Sequence, residues 1–349
     1  MTMSTILTLL RDIIAFSNQF FPHPIALLRS YRFSPADLAI ESPPKDEQSL
    51  PPPLTTIDVL SYNVNNEAAH NPTRRRRILR AIFSSGAQII LLQETNPSWE
   101  KLLREDAIAL EFVFTYFHHP GPSDRKAGGS AILSQFPLDV DKIQMFHFSE
   151  VSGSVFPSMV CDVSIPIKHV KGSSNTTTSS SSQRSCNVTI TIANIHLRPP
   201  VNLDGSAWLD TARKTEPIRI AEAEELIRRR SQESKRTIDI IAGDFNEGDD
   251  GEAIRYLILQ EGYANALSRY VPRSKETHRW NYFGTVWQLR KRLDHILWYS
   301  GNALSLSSTR EEDSKLILDC VNCGVLSGYE NDASDHQPVL CRFAIIKEM

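Results

Sequence analysis

The chain has 349 residues, 41% hydrophobic and 23% charged, with a formal net charge of −3. These are ordinary values for a globular protein with room for several packed layers, and they exclude a binder that holds nucleic acid through overall basic charge. Of five cysteines only Cys320 and Cys323 form a C-x-x-C, with no second pair to complete a zinc site, so structural thiols in a reducing compartment are expected.

The N-terminal stretch "MTMSTILTLLRDIIAFSNQFFPHPIALL" is apolar but broken by Arg11, Asp12, Pro22 and Pro24. It falls short of the roughly 18 clean apolar residues of a membrane span, and the basic n-region of a secretory signal is missing. An intracellular chain, cytoplasmic or nuclear, is expected, with an amphipathic surface helix or an organelle address as the alternatives for this segment. "ESPPKDEQSLPPPLTT" reads as a linker. Residues 1–55 are therefore taken as an extension with a Pro-rich linker, and 56–347 as one domain.

"IDVLSYNVNN" is a short strand ending in amides. "NPTRRRRILRAIFSSGAQIILLQET" predicts a helix from about Arg74, a turn at Gly86 and a strand ending at Gln93-Glu94. The four arginines read as the solvated face of that helix, with Ile78 and Ile82 turned inward; a nuclear address is the other reading. "GGSAILSQFPL" and "VTITIANIHLRPP" are further strands, the second with Val188, Ile190, Ile192, Asn194 and His196 on one face. Between them "KGSSNTTTSSSSQRS" is too polar to bury, which predicts a low-complexity loop near 171–185. "TEPIRIAEAEELIRRRSQE" is an amphipathic helix, and "TIDIIAGDFN", "RLDHILWYS" and "PVLCRFAII" are strands. Strands outnumber helices, which points to an α/β sandwich with sheets inside and helices outside.

Polar groups stand repeatedly at the ends of apolar strands: Asn63 and Asn65, Glu94, His196, Asp244 and Asn246, Asp294, and then Ser334-Asp335-His336 before the last strand. Taken singly, each reads as a turn or cap residue. Six such places in one chain ask for a joint explanation, because buried polar groups are costly unless they satisfy one another. Oxygen donors without a Cys/His cluster favour Mg²⁺, with Mn²⁺ as the alternative, over zinc. A metal to polarise a phosphoryl oxygen, a base to aim water and donors for the developing charge are the needs of phosphate-ester hydrolysis.

"LQET", "GDFN" and "SDHQPV", in this order from about residue 55 to 346, resemble the endonuclease/exonuclease/phosphatase family, the fold of deoxyribonuclease I. The resemblance implies a four-layer α/β/β/α sandwich of two mixed sheets flanked by helices. It implies Glu94 as the principal metal ligand, with Asn63 and Asp335 near the metal. Asp244 would orient or deprotonate water, and Asn246 would bond the scissile phosphate. His196 and His336 would stabilise phosphoryl oxygens, with Asp294 holding the His336 ring. Several nuclease members carry Asp where this chain has Asn65, which weakens the case for a second metal.

The segment "KRLDHILW" departs from the Pro-Trp-Cys-Asp-Arg setting of the inositol polyphosphate phosphatases and is more like the phosphodiesterase and nuclease branches. "THRWNYFGTVWQLRKRLDH" interleaves Trp280, Tyr282, Phe283 and Trp287 with Arg279, Arg290, Lys291 and Arg292. Such a pattern suits stacking on bases and contact with phosphates, or else a packed core with solvated cations. Trp280 and Arg198 are the substrate-binding candidates, with a surface salt bridge as the other reading of Arg198. The expectation is a Mg²⁺-dependent monomer that hydrolyses a phosphodiester, nucleic acid first, including a tyrosyl-DNA phosphodiesterase-like activity. A phosphomonoesterase of a small-molecule or lipid head-group phosphate is the alternative, and an inactive binding module the reading from another class.

Overall fold

A computed structural model describes residues 51–105, 112–122, 128–148, 156–168, 185–200, 211–234, 236–282, 287–300, 304–306, 315–326 and 333–347. Residues 1–50 of the N-terminal extension, the segment 169–184 and the side chains of 280–290 lie outside the described residues, and with them the side chain of Trp280.

Two sheets carry the fold. The first has the order β14 (Leu316–Val325), β15 (Val339–Lys347), β1 (Thr55–Asn63), β2 (Ile89–Thr95), β4 (Gly129–Ser134), β3 (Phe114–His118). The second has the order β5 (Gln144–Phe146), β6 (Ser158–Lys168), β7 (Ser185–His196), β8 (Ile240–Asp244), β12 (Asp294–Tyr299), β9 (Tyr263–Asn265), with β13 (Ser305–Leu306) also paired to β7. Only β1–β2 and β7–β8 are parallel among the described pairs. A hairpin of β10 (His278–Tyr282) and β11 (Trp287–Lys291) stands apart. β6 and β14, two of the longer strands, were not expected. The serine-rich segment joins β6 to β7, which pair antiparallel up to Lys168 and Ser185.

The period-2 patterns of the strands sort their side chains into three cores. Ile57 and Val59 of β1, Ile89 and Leu91 of β2, Val188, Ile190 and Ile192 of β7, and Ile240 and Ala242 of β8 meet between the sheets. Leu60 and Tyr62, on the opposite face of β1, pack with Ile90 and Leu92 against helix α1 (Pro72–Ser84) and helix α2 (Pro97–Glu105), through Ile78, Ile82, Trp99 and Leu103. Ala193, Ile195, Ile241 and Leu297 do the same on the second sheet. Their partners are Ala223 and Leu226 of helix α3 (Thr211–Ser234) and Ile254 and Leu257 of helix α4 (Glu252–Leu259). Each fully buried aliphatic side chain is worth about 1.5–3 kcal/mol, so three cores stack four layers: helices, sheet, sheet, helices. A short helix α5 (Ala266–Tyr270) follows β9.

Helix α1 starts two residues before the expected Arg74. The Asn71 side chain accepts from the N–H groups of Thr73 and Arg74, and Pro72 sits at the first helical position, where its missing N–H costs nothing. Ile78 and Ile82 face inward as expected. Cys320, Cys323 and Cys341 are buried in the core between the sheets, with the Cys341 thiol directed at Cys323 Sγ at 2.6 Å.

Candidate active site

The same alternation that builds the inner core carries polar side chains to one end of it. Asn63 continues the Ile57–Val59–Ser61 face of β1. His196 continues that of β7, Asp244 that of β8, and Asp294 leads into Ile296 and Trp298 of β12. In register, Asp244 stands opposite Asp294 and beside His196. Gly243 is required here for packing. A Cβ on it would lie 1.9 Å from the Ile195 carbonyl oxygen of the parallel neighbour, and its φ is +151°. The glycine serves strand-to-strand contact between β7 and β8.

Glu94 does not follow the alternation. Its parity would turn it to the helix side with Ile90 and Leu92, but the β2–β4 register shifts between Gln93 and Thr95, and Glu94 takes φ +56°. A bulge of this kind re-aims a side chain. Gly129 makes it possible, since a Cβ there would meet the Thr95 carbonyl oxygen at 1.8 Å. Among the described residues the non-glycine positions with positive φ are Asn65, Glu94 and Asn246, all three at this end of the sandwich. β8 ends at Asp244, so the direction of Asn246 comes from its left-handed backbone and not from strand alternation, while Phe245 is fully buried in the outer core.

Asn63 ties the sheets together. Its Nδ2 donates to Glu94 Oε1 and to Asp244 Oδ2, both at 3.1 Å, and lies 3.5 Å from His336 Nε2. Its Oδ1 accepts from the Asn65 backbone N–H, so in this geometry the side chain bridges two carboxylates. Asn65 donates to Asp335 Oδ1 at 3.0 Å. His336 Nδ1 lies 2.9 and 3.1 Å from the two oxygens of the fully buried Asp294, and its Nε2 points at Asp244 Oδ2, 3.6 Å away. His196 Nε2 is also 3.6 Å from Asp244 Oδ2. Asn246 donates from Nδ2 to the Leu197 carbonyl and from its backbone N–H to Asp244 Oδ1.

Burial disfavours charge on His336, yet Asp294 and then Asp244 outweigh it and hold the imidazole well above its ordinary pKa. His196 is moved the other way, by burial first, against the pull of Asp244. Burial, with the Asp335 charge next, pushes the Glu94 carboxyl up to about 7. A carboxyl that burial and neighbouring carboxylates keep from ionising is one that a bound cation would relieve. Glu94 and Asp335 offer the oxygen donors that a hard divalent ion takes. Among the described residues two groups of three have donor atoms within 4.8 Å of one another, Asp244–Asp294–His336 and His278–Asp335–His336, the second sharing Asp335. Both include His336, whose Nδ1 is already engaged by Asp294.

His278, Thr277 and the Gln93–Asn194 pair went unnoticed in the sequence. His278 packs against His336 with ring centroids 4.5 Å apart and ring planes tilted by 59°, and bridges it through the backbone; burial lowers its pKa to about 4. Thr277 Oγ1 accepts from the N–H groups of Leu293 and Asp294, fixing the start of β12. Gln93 donates to Asn194 Oδ1 at 2.7 Å, and Asn194 Nδ2 reaches the Leu92 and Ala131 carbonyls, joining the sheets one layer below the site. A polar residue on an otherwise apolar strand face was the available signal for that pair.

The substrate-side candidates separate. Arg198 is buried, not at the surface, and its backbone N–H donates to Glu222 Oε2. Arg219 pairs with Glu247 at 3.1 Å, so on α3 Glu222 braces the segment after β7 and Arg219 the loop after β8. Arg292 is buried against Asp249 and the carbonyls of Val271, Pro272 and Lys275, and Arg279 pairs with Glu276; these two cations serve the fold.

Two mixed sheets between helices, with carboxylates, amides and two histidines gathered at one end, define a phosphoesterase of the deoxyribonuclease I type. The family model for the Endonuclease/Exonuclease/phosphatase family matches residues 60–336, and the chain belongs to that family of metal-dependent phosphoric ester hydrolases. No curated protein matches its sequence. Its fold is similar to the human Nocturnin catalytic domain with bound sulfate (17% identity over 83% of this chain and 94% of that one, TM-score 0.51). It is also similar to D. rerio TDP2 complexed with a single strand DNA product (17%, 83% and 99%, 0.51). A Bacteroides thetaiotaomicron protein of the same family gives 15% identity over 84% and 95%, with a TM-score of 0.53. Among the described residues no helix is long and apolar enough to cross a membrane.

Proposed function

We propose that this protein is a Mg²⁺-dependent phosphodiesterase whose substrate is a nucleic acid. The observation that carries the reading is the Asp294–His336 pair aimed at Asp244, with His196 Nε2 at the same 3.6 Å from the same carboxylate oxygen. Two ring N–H donors flanking one carboxylate suit a tetrahedral phosphate that receives water from one side and needs its equatorial oxygens neutralised.

Glu94 and Asp335 would hold the divalent ion, whose chemistry is to polarise a phosphoryl oxygen. Asp244 accepts a proton from the attacking water. His336 donates from Nε2 to a non-bridging oxygen, its Nδ1 held by Asp294, and His196 donates to another. Asn246 has two amide N–H donors, of which Leu197 takes one, leaving one for the scissile phosphate. Asn65, a neutral donor to Asp335, supports a single ion at this place. The TDP2 neighbour with its single strand DNA product supports a nucleic-acid strand as the substrate class.

The test is a panel with Mg²⁺: nicked and abasic DNA, 5′-tyrosyl DNA, poly(A) and phosphoinositides, each with EDTA and Glu94→Gln controls. Metal-dependent cleavage of a nucleic-acid substrate is expected. Turnover confined to phosphoinositides or to small monoesters would overturn the reading.

A further inference from the structure

The sequence offers Cys320 and Cys323 as a C-x-x-C, but the fold gives Cys323 a different partner. β14 turns Leu316, Leu318 and Cys320 inward by alternation, which would send Cys323 outward. The β14–β15 register shifts between Cys320 and Asn322, and the extra residue, Val321, returns Cys323 to the inner core. Cys323 then stands directly opposite Cys341 of β15. Cys320 stands opposite Phe343, and its thiol donates to the Asn322 carbonyl.

The pair sits where the two strands come closest. Leu326 donates its N–H to the Pro338 carbonyl, which makes these two a hydrogen-bonded pair. Along the ladder the kinds alternate, so Gly324–Leu340 is bonded, while Val325–Val339 and Cys323–Cys341 are non-hydrogen-bonded. Opposed residues of the second kind have Cα atoms about 4.5 Å apart, inside the window of roughly 4.4–6.8 Å that a disulfide spans. The two sulfurs lie 2.6 Å apart. No strand has to move to join them.

We infer that Cys323 and Cys341 form a disulfide bond, a covalent brace across the hairpin that presents Asp335 and His336. The bond closes a ring of chain that holds both of these residues, together with Ser334, whose Oγ donates to the Asn63 carbonyl. Two electrons and two protons leave the thiols, and a small-molecule disulfide takes them up. One cysteine thiolate attacks that disulfide and releases one thiol; the second cysteine attacks the mixed disulfide and releases the other. Both cysteines are buried, and burial raises both thiol pKa values. Little thiolate therefore exists in the closed fold, and the bond forms while the hairpin is open, as the chain folds in an oxidising medium.

The full-length protein is refolded from urea in a mixture of reduced and oxidised glutathione, quenched in acid, alkylated and digested for peptide mapping. Cys323–Cys341 is expected as the main cross-link, and Cys320→Ala should leave it in place. The oxidised protein should resist urea better than the same protein in dithiothreitol, because closing a loop of 18 residues lowers the unfolding constant by on the order of 100-fold. Cys341→Val, which keeps most of the side chain's volume, should lose that difference, with circular dichroism reporting that it folds. Full alkylation of Cys323 and Cys341 after refolding in excess oxidised glutathione would overturn the inference. So would a main cross-link through Cys320, or an oxidised wild type no more stable than the reduced one.

Discussion

Replacing Asp294 by Asn removes one charge and keeps the side chain's shape, which isolates what that carboxylate does for His336. The carboxylate is fully buried and lies 2.9 Å from Nδ1, while the nearest other anion, Asp244 Oδ2, is 3.6 Å from Nε2. Burial alone would hold the ring neutral, so without Asp294 its pKa must fall. Loss of one partner of a buried ion pair costs about 3–5 kcal/mol, and the lower end applies because the imidazole can shed its proton. Since the folded pKa is raised, the pair's stabilisation is complete below the ordinary imidazole value and fades as pH rises through the folded one. The gap between wild type and Asp294→Asn in urea denaturation should therefore be largest at mildly acidic pH and close on the alkaline side. Activity should fall by roughly tenfold to 100-fold, as for other groups that orient a functional histidine, with the basic limb of kcat/KM moved to lower pH. Combined with His336→Ala, the loss should be no greater than for His336→Ala alone. Multiplicative losses in the double variant, or an unmoved basic limb, would refute the coupling.

Glu94→Gln should abolish metal-dependent turnover and leave the fold intact; activity of the wild type in excess EDTA would refute the metal assignment. Because the Glu94 carboxyl sits at about 7 without metal, Mg²⁺ should bind more tightly as pH rises through that value and release a proton below it, measurable by calorimetry in buffers of different ionisation heat. Asp244→Asn should lower kcat with little change in KM, since water activation is felt mainly in the transition state; an equal rise in KM with kcat intact would argue for binding alone. Gly243→Ala should destabilise by about 1–3 kcal/mol or more through the clash with Ile195, read by thermal unfolding. Deleting residues 173–180, half of the segment 169–184, should leave stability and activity nearly unchanged, because halving a loop alters closure entropy by only about 0.6 kcal/mol.

The alternation in "IDVLSYN", "VTITIANIH" and "TIDIIAGD" was enough to place Asn63, His196 and Asp244 on the same side as the inner core. An extended strand has period 2, and one face of each must be buried. That is a local rule, legible in the sequence and carried into the structure by every one of those strands. Glu94 and Asn246 obey no such rule. Their directions come from left-handed backbone at a bulge and a turn, held by the close passage of Gly129 past Thr95 and by the Leu197 carbonyl that Asn246 bonds. The depth of Arg198 and Arg292 and the packing of His278 against His336 likewise depend on segments far apart in the chain. The sequence by itself determined which residues could face one another, because periodicity is a property of each strand alone. Only the tertiary structure decided which of them meet, since contact across two sheets depends on register and backbone twist set by the whole sandwich.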